Sequence, residues 1–188
     1  MNINVYDFDN TIYKGDSTLD FYFFCLRRHK KTLLYIPRQL VATLSYILKK
    51  STKTQYKQRF FGFLNAIEDL DDTLNAFWRK NIHKIAPWYL KQKSDRDVII
   101  SASPHFLLEK VCQELGIRYL IASDVDKRTG VFYGPNCYGD EKVRRLREMF
   151  PDAKINRFYS DSYSDMPLAK IADNSFLIKG QEIIEWKL

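Results

Sequence analysis

The sequence predicts an α/β protein: a parallel-sheet core interrupted by an all-helical insertion. Short apolar, partly β-branched runs recur at 3–8, 98–100 and 155–159, and each leads into a carboxylate or a hydroxyl. Helical periodicity alternates with such runs through the C-terminal half. Between the first two runs, from Asp16 to about Lys93, only helical patterns occur. Strands alternating with helices make a parallel sheet, whose ligands bind at the carboxyl ends of the strands. The core is therefore assigned to residues 1–15 and 94–188, and a helical cap domain to 16–93.

Each element has its own reason. Residues 3–8 form a short buried strand ending at Asp7 and Phe8. Asp16 or Ser17 suits the N-cap of a helix carrying Leu19, Phe23 and Leu26 on one stripe. Pro37 fits a first turn, followed by Leu40, Leu44, Ile47 and Leu48 on another stripe. A third cap helix carries Tyr56, Phe60, Phe63 and Leu64. A fourth starts at Asp71 or Asp72 and runs through Leu74, Phe77, Trp78 and Ile82 to end before Pro87. The core resumes with a strand at 97–101, a helix at 105–115 closed by Gly116, and a strand at 119–122. A hairpin around 129–138, a helix at 141–150, a strand near 155–159, a helix near 166–172 and a strand at 175–178 complete it.

At 188 residues the chain can bury one good core, or one core with a small satellite unit. With 45% hydrophobic and 28% charged residues it is not a disordered chain. No run approaches the roughly 18 apolar residues of a spanning helix, and no signal-peptide pattern opens the sequence, so a cytoplasmic location is expected. Cys25, Cys112 and Cys137 are odd in number and form no CxxC pair, which argues against a disulfide framework or structural zinc. His29, His83 and His105 lack metal-ligand spacing. The net charge of +7 is unevenly spread: 21–67 holds ten cations and no acid. That field suits an anionic partner, whether a phosphorylated substrate, an anionic membrane surface or nucleic acid, and it equally suits a solvated basic face.

Four separated fragments carry the chemistry: Asp7-Phe8-Asp9-Asn10-Thr11, Ser101, Lys142, and Asp161 to Asp165. Phosphoryl transfer asks a protein for positioning, charge neutralisation and a handled proton. A carboxylate can act as nucleophile, a second one can handle the proton, and hydroxyl, ammonium and further carboxylates can hold the phosphoryl group and a cation. In types and order these fragments resemble the four motifs of the haloacid dehalogenase-like (HAD) hydrolase superfamily, most of whose members are Mg²⁺-dependent phosphatases. The resemblance covers nearly the whole chain and implies a Rossmann-like core with a helical cap of the phosphoserine phosphatase subgroup.

The resemblance assigns roles residue by residue. Asp7 matches the nucleophile, which forms an aspartyl-phosphate. Asp9 matches the general acid/base, and Thr11 supports the loop and the transferring group. Ser101 matches the hydroxyl that bonds the phosphoryl oxygens, with the backbone N–H groups of Ala102 and Ser103 as further donors. Lys142 matches the lysine that neutralises phosphate and nucleophile, with Glu141 or Arg144 as alternatives. Asp161 matches the Mg²⁺ ligand, joined by the Asp7 carboxylate, the Asp9 backbone carbonyl and waters. Asp165 is the outer-shell carboxylate holding a metal water or Lys142, or else a direct ligand.

Two departures bear on the substrate: Ser160 stands where glycine is usual, and Ser164 where phosphoserine phosphatases carry an asparagine that helps bind substrate. Asp16 aligns with the acidic residue that holds a substrate ammonium there, and is equally well read as a helix N-cap. Local wording is also similar to phosphatidylglycerophosphatase C-type proteins: 101–104 ending in Ser-Pro, 137–143 around Lys142, and Tyr-Ser-Asp-Ser at 159–162. Residues 33–48 are apolar with flanking cations, which suits a helix at an anionic lipid surface or one packing inside the cap bundle.

The expectation is a Mg²⁺-dependent phosphatase acting on a phosphorylated small molecule or a lipid phosphate, the latter with peripheral contact to an anionic inner-membrane surface. A phosphotransferase shares the same residues. A basic nucleic-acid-binding module is the alternative outside enzymes, and no nucleic-acid motif supports it.

Overall fold

Alternation along the strands decides which layer each side chain enters. The computed structural model describes residues 1–180 and 182–187. Six strands, β1 (Asn2–Tyr6), β2 (Asp97–Pro104), β3 (Tyr119–Ser123), β4 (Lys154–Ser160), β5 (Ala172–Lys179) and β6 (Glu182–Glu185), form one sheet in the order β3-β2-β1-β4-β5-β6. The first five are parallel and β6 is an antiparallel edge. From β1 the chain builds outward through β2 and β3, then returns to the other side of β1 with β4. This reversal opens a crevice at the carboxyl ends of β1 and its neighbours.

Five helices lie between β1 and β2: α1 (Ser17–Arg28), α2 (Ile36–Ile47), α3 (Lys53–Phe60), α4 (Leu70–Asn81) and α5 (Pro87–Gln92). Three follow in the second half: α6 (His105–Glu114), α7 (Asp140–Met149) and the short α8 (Met166–Ala169). On one face of the sheet Tyr6, Ile99 and Tyr159 join an aromatic cluster with Phe21, Phe77, Trp78 and Tyr89 from the inserted helices and Leu108 from α6. On the other face Val5, Val98, Ile100 and Phe158 meet Leu146 of α7 and Leu168 of α8. Residues one apart on a strand thus enter opposite layers, as the pleat requires. Trp78 Nε1 donates to the Leu107 carbonyl at 2.7 Å, tying α4 to α6. No helix among the described residues is long and apolar enough to cross a membrane.

Local signals account for most helix ends. Asp16 caps α1, its Oδ1 accepting from Leu19 N at 2.9 Å. A Thr52/Gln55 capping box opens α3. At the end of α6, Gly116 takes φ +70° while Ile117 N reaches back to the Cys112 carbonyl.

Several expectations are corrected. The buried stripe of α1 is Phe21, Tyr22 and Cys25; Leu19 and Phe23 are exposed, because the docking face is set by Phe63 and Phe77. On α2 the expected stripe, Leu40, Leu44, Ile47 and Leu48, is exposed, and Gln39 and Ala42 face inward instead. The third cap helix ends at Phe60 and continues as a 3-10 turn through Ala66, and the fourth is capped by Asp69. The hairpin expected around 129–138 forms earlier and is short: Asp126 N donates to the Val131 carbonyl and Tyr133 N to the Asp124 carbonyl around an antiparallel Val125–Phe132 bridge, and the Asp126 carboxylate, accepting from Arg128 N and Thr129 N, closes the turn between them. Pro135 cannot donate to a ladder, so the pairing stops short of 138. Strand β6 and helix α5 escape the sequence reading: β6 is a four-residue edge, and α5 begins at the proline taken as a stop.

Candidate active site

The ends of β1, β2 and β4 converge at the crevice. Just past β1, Asp7 N donates to the Tyr159 carbonyl at 2.9 Å, extending the pairing by one residue. The chain then winds tightly: the Phe8 carbonyl accepts from Ile12 N and Tyr13 N, and Asn10 takes φ +53°. Asparagine tolerates that left-handed conformation better than most residues. Ser101 lies inside β2, which runs on to Pro104 through an irregular register after Ile100, so the chain bulges where Ser101 meets the cavity.

A cavity of about 370 Å³ opens over these ends. Asp7, Asp9, Asp16, Ser101, Ala102, Lys142, Asp161, Ser164 and Asp165 all line it. Thr11 does not; it is buried beneath, where its Oγ1 accepts from Asp161 N at 3.0 Å and staples the first motif loop to the fourth. Asp16 both lines the cavity and caps α1, so its two readings meet in one residue. Ser164 joins a small hydroxyl cluster, its Oγ 2.9 Å from Ser162 Oγ.

Lys142, buried on α7, donates to Asp7 Oδ1 and to Asp165 Oδ2, both at 2.7 Å. Burial alone disfavours its charge, but the two carboxylates outweigh it and raise its pKa. Burial pushes the Asp7 carboxyl up to about 7, with Lys142 pulling the other way. Burial, then repulsion from Asp16, raises Asp9, opposed by bonds from Ser103 and Ser17. Those bonds occupy both Asp9 oxygens: Ser17 N reaches Oδ1 at 2.6 Å and Ser103 Oγ reaches Oδ2 at 2.5 Å. Asp161 is also raised, chiefly by burial.

Ser160 replaces the usual glycine with a working hydroxyl, which donates to Asp165 Oδ2 at 2.8 Å and accepts from Ser162 N. The other oxygen, Asp165 Oδ1, is buried without a partner among the described residues. Such an orphaned acceptor costs about 1–3 kcal/mol unless water or a cation's water meets it. No three His, Cys, Asp or Glu side chains among the described residues gather into a full metal cage. Two carboxylates, one carbonyl and solvent oxygens nonetheless make the mixed oxygen shell that a hard divalent cation accepts. The residues fit such an ion.

The structure adds groups that sequence reasoning missed. Lys57 of α3 projects into the cavity wall, its Nζ donating to the Ala102 carbonyl at 2.7 Å and to Asn136 Oδ1 at 3.0 Å. Burial, then the neighbouring Lys53, pulls its pKa down to about 8, with Asp9 and Asp16 opposing. One turn earlier, Lys53 Nζ sits 3.3 Å over the Tyr138 ring. Their spacing of four puts both on one helix face, but among ten cations nothing singles them out in the sequence. The Ser103 side chain was likewise unassigned; only its N–H was considered.

The family profile for haloacid dehalogenase-like hydrolases matches residues 5–170. Protein CicA of Caulobacter vibrioides is 31% identical over 154 residues, covering 78% of this chain; the chain spans 64% of that relative's length. A protein of unknown function from Bordetella pertussis Tohama I superposes with a TM-score of 0.75 at 20% identity, over 93% of this chain and 88% of the other. A phosphoserine phosphohydrolase-like protein from Francisella tularensis gives 0.57 at 14% identity, over 93% and 86%. The two superpositions establish a shared fold, and the profile match over most of the sequence establishes the family. The chain belongs to the haloacid dehalogenase-like hydrolases.

Proposed function

We propose that the protein is a Mg²⁺-dependent phosphomonoesterase working through an aspartyl-phosphate on Asp7. The observation that carries this reading is the Lys142 ammonium, 2.7 Å from both Asp7 Oδ1 and Asp165 Oδ2, in a cavity shared with Asp9 and Asp161. An ammonium has three donors. Two are engaged, and the third is available to a phosphoryl oxygen.

Asp7 attacks phosphorus, forming a carboxyl O–P bond as the ester P–O bond breaks. Asp9, whose proton is favoured by burial, gives that proton to the leaving oxygen. Asp9 then takes a proton from water, whose oxygen attacks phosphorus. The acyl O–P bond breaks, Asp7 returns as carboxylate, and inorganic phosphate leaves. Ser101 and the Ala102 N–H hold the phosphoryl oxygens, while Thr11 keeps the two acidic loops together. Asp7, the Asp9 carbonyl and Asp161 would hold Mg²⁺, with Asp165 in the outer shell, and the ion would supply charge neutralisation on the phosphoryl group.

Residues 16–93 act as the substrate-selecting cap. The cavity wall mixes Lys53, Lys57 and Asp16 with apolar Leu19, Phe60 and Phe61. That apolar share favours a second reading, a phosphatidylglycerophosphate-type lipid ester.

Phosphate release from an aryl phosphate, with and without Mg²⁺, tests the proposal. Release should require the cation and vanish in Asp7→Asn; an Asp7→Asn variant as active as wild type sinks it. Comparing a soluble glycerol phosphate with a lipid phosphate separates the two substrate readings. Product analysis with an added alcohol acceptor distinguishes hydrolysis from phosphotransfer.

A further inference from the structure

Helix α2 is built inside out. At about 100° per residue, Leu40, Val41, Leu44, Ile47 and Leu48 fall within an arc of roughly 120°. All five are exposed, from 55% for Leu48 to 68% for Ile47. The opposite side carries Gln39 and Ala42, and these are the residues packed inward. The Gln39 amide is satisfied there, Oε1 accepting from Tyr22 Oη and Nε2 donating to the Phe60 carbonyl at 3.0 Å. Its inward orientation is therefore anchored. In the 3-10 turn just before, Leu33 and Leu34 are exposed as well. A run of large apolar side chains turned to the outside marks an interaction surface.

The charges around it choose the partner. Arg27, Lys30, Arg38, Lys49 and Lys50 flank or interrupt the apolar run, are exposed, and have no ion pair among the described residues. Arg28 and Lys31 are paired with Asp72 and Glu68. No acid occurs anywhere from 21 to 67. Two copies meeting symmetrically through this face would bring cation against cation with no local acid to offset them. A bilayer with anionic headgroups supplies both complements: an acyl boundary for the leucines and negative charge for the flanks.

We propose that α2 and the turn before it dock the protein on an anionic bilayer surface, with Leu40, Leu44 and Ile47 inserted and Arg38, Lys49 and Lys50 at the headgroups. The surface lies apart from the acidic cluster, so it stands whether or not the reaction is the one proposed above.

Sedimentation with vesicles tests it, using the full chain and phosphatidylcholine alone or mixed equally with phosphatidylglycerol. The protein should bind mixed vesicles about tenfold or more better than neutral ones, and lose that preference as salt rises. The triple variant Leu40→Ser, Leu44→Ser, Ile47→Ser alters exposed positions only and should fold; its binding should fall about tenfold or more. Lys49→Glu with Lys50→Glu should weaken binding to mixed vesicles alone. Absence of binding to mixed vesicles, or equal binding by the triple variant, overturns the proposal. A wild-type dimer that the triple variant converts to monomer, without vesicle binding by either, assigns the face to a second copy and overturns it too.

Discussion

The Ser103 hydroxyl donates to Asp9 Oδ2 at 2.5 Å, so the strand of the second motif holds a carboxylate of the first. Thr18 Oγ1 stands 2.9 Å from the same hydroxyl, and Ser17 N engages the other Asp9 oxygen, which brings the start of α1 into the arrangement. Asp9 is thus oriented by two segments, and its affinity for a proton is a balance. Burial raises it, and the Ser103 and Ser17 bonds lower it.

Ser103→Ala removes one lowering bond, so the Asp9 pKa rises. With Asp9 as general acid, the alkaline limb of kcat/KM for an alkyl phosphate should move to higher pH. A merely structural role for Ser103 would lower the Tm without moving that limb. Asp9→Asn should lose about 10²–10⁴ in kcat on alkyl esters. The loss should be smaller on an aryl ester, whose leaving group needs little protonation.

Asp7 takes its proton near pH 7 in the folded protein, against 3.8 as its ordinary value. A raised carboxyl contributes stability that is complete below the lower value and declines as pH rises toward 7. Asp7→Asn removes this liability and keeps an oxygen for Lys142. Without divalent cations the variant should exceed wild type by on the order of 2 kcal/mol at pH 8, the gap closing toward pH 4. Adding Mg²⁺ should stabilise wild type and leave the variant unmoved. Urea titrations at both pH values measure this, and a variant equally destabilised at each contradicts it.

Lys57 carries the opposite linkage. Its folded pKa, about 8, lies below the ordinary 10.5, so its charge costs stability below pH 8 and that cost disappears as pH rises through 10.5. Ser123 Oγ lies 3.0 Å from the Ala102 carbonyl and 3.1 Å from Asn136 Oδ1, so its single hydrogen still serves one of the two acceptors when Lys57 is removed. Lys57→Met should therefore gain on the order of 1–2 kcal/mol at neutral pH after allowing for screening, with the gain fading above pH 10. If Lys57 also grips the substrate, KM should rise in the same variant.

Gly130 sits at φ +75° against the backbone of Phe61, where an added Cβ would lie 2.6 Å from the Phe61 carbonyl oxygen. Gly130→Ala should cost about 2–3 kcal/mol, because strain and collision add and a carbonyl cannot swing aside. Chemical unfolding with an unchanged m-value checks it; a neutral variant would mean that the 126–130 turn does not seat against the cap.

What was legible in the sequence was local. The apolar runs before Asp7, Ser101 and Asp161 marked strands, and a parallel sheet puts strand ends on one side whatever the details of packing. That sufficed to group the acids and the Ser101 hydroxyl at one cavity, and the family resemblance added Lys142. Capping by Asp16 and the glycine stop after α6 were equally local, since each is a bond or a dihedral within a few residues. The four-residue edge β6 left too short a pattern to notice, and the hairpin turns at 126–130, earlier than expected, where the Asp126 carboxylate accepts from the Arg128 and Thr129 N–H groups.

Amino-acid order by itself determined the family and the alternation of strands and helices. Tertiary structure alone decided which face of α2 turns inward, which of ten cap cations enters the cavity, and that Ser103 grips Asp9. The reason is physical: periodicity defines a stripe but not the neighbour it meets. On α2 the inward side carries Gln39, held by Tyr22 and Phe60, and the leucines lie on the outer side.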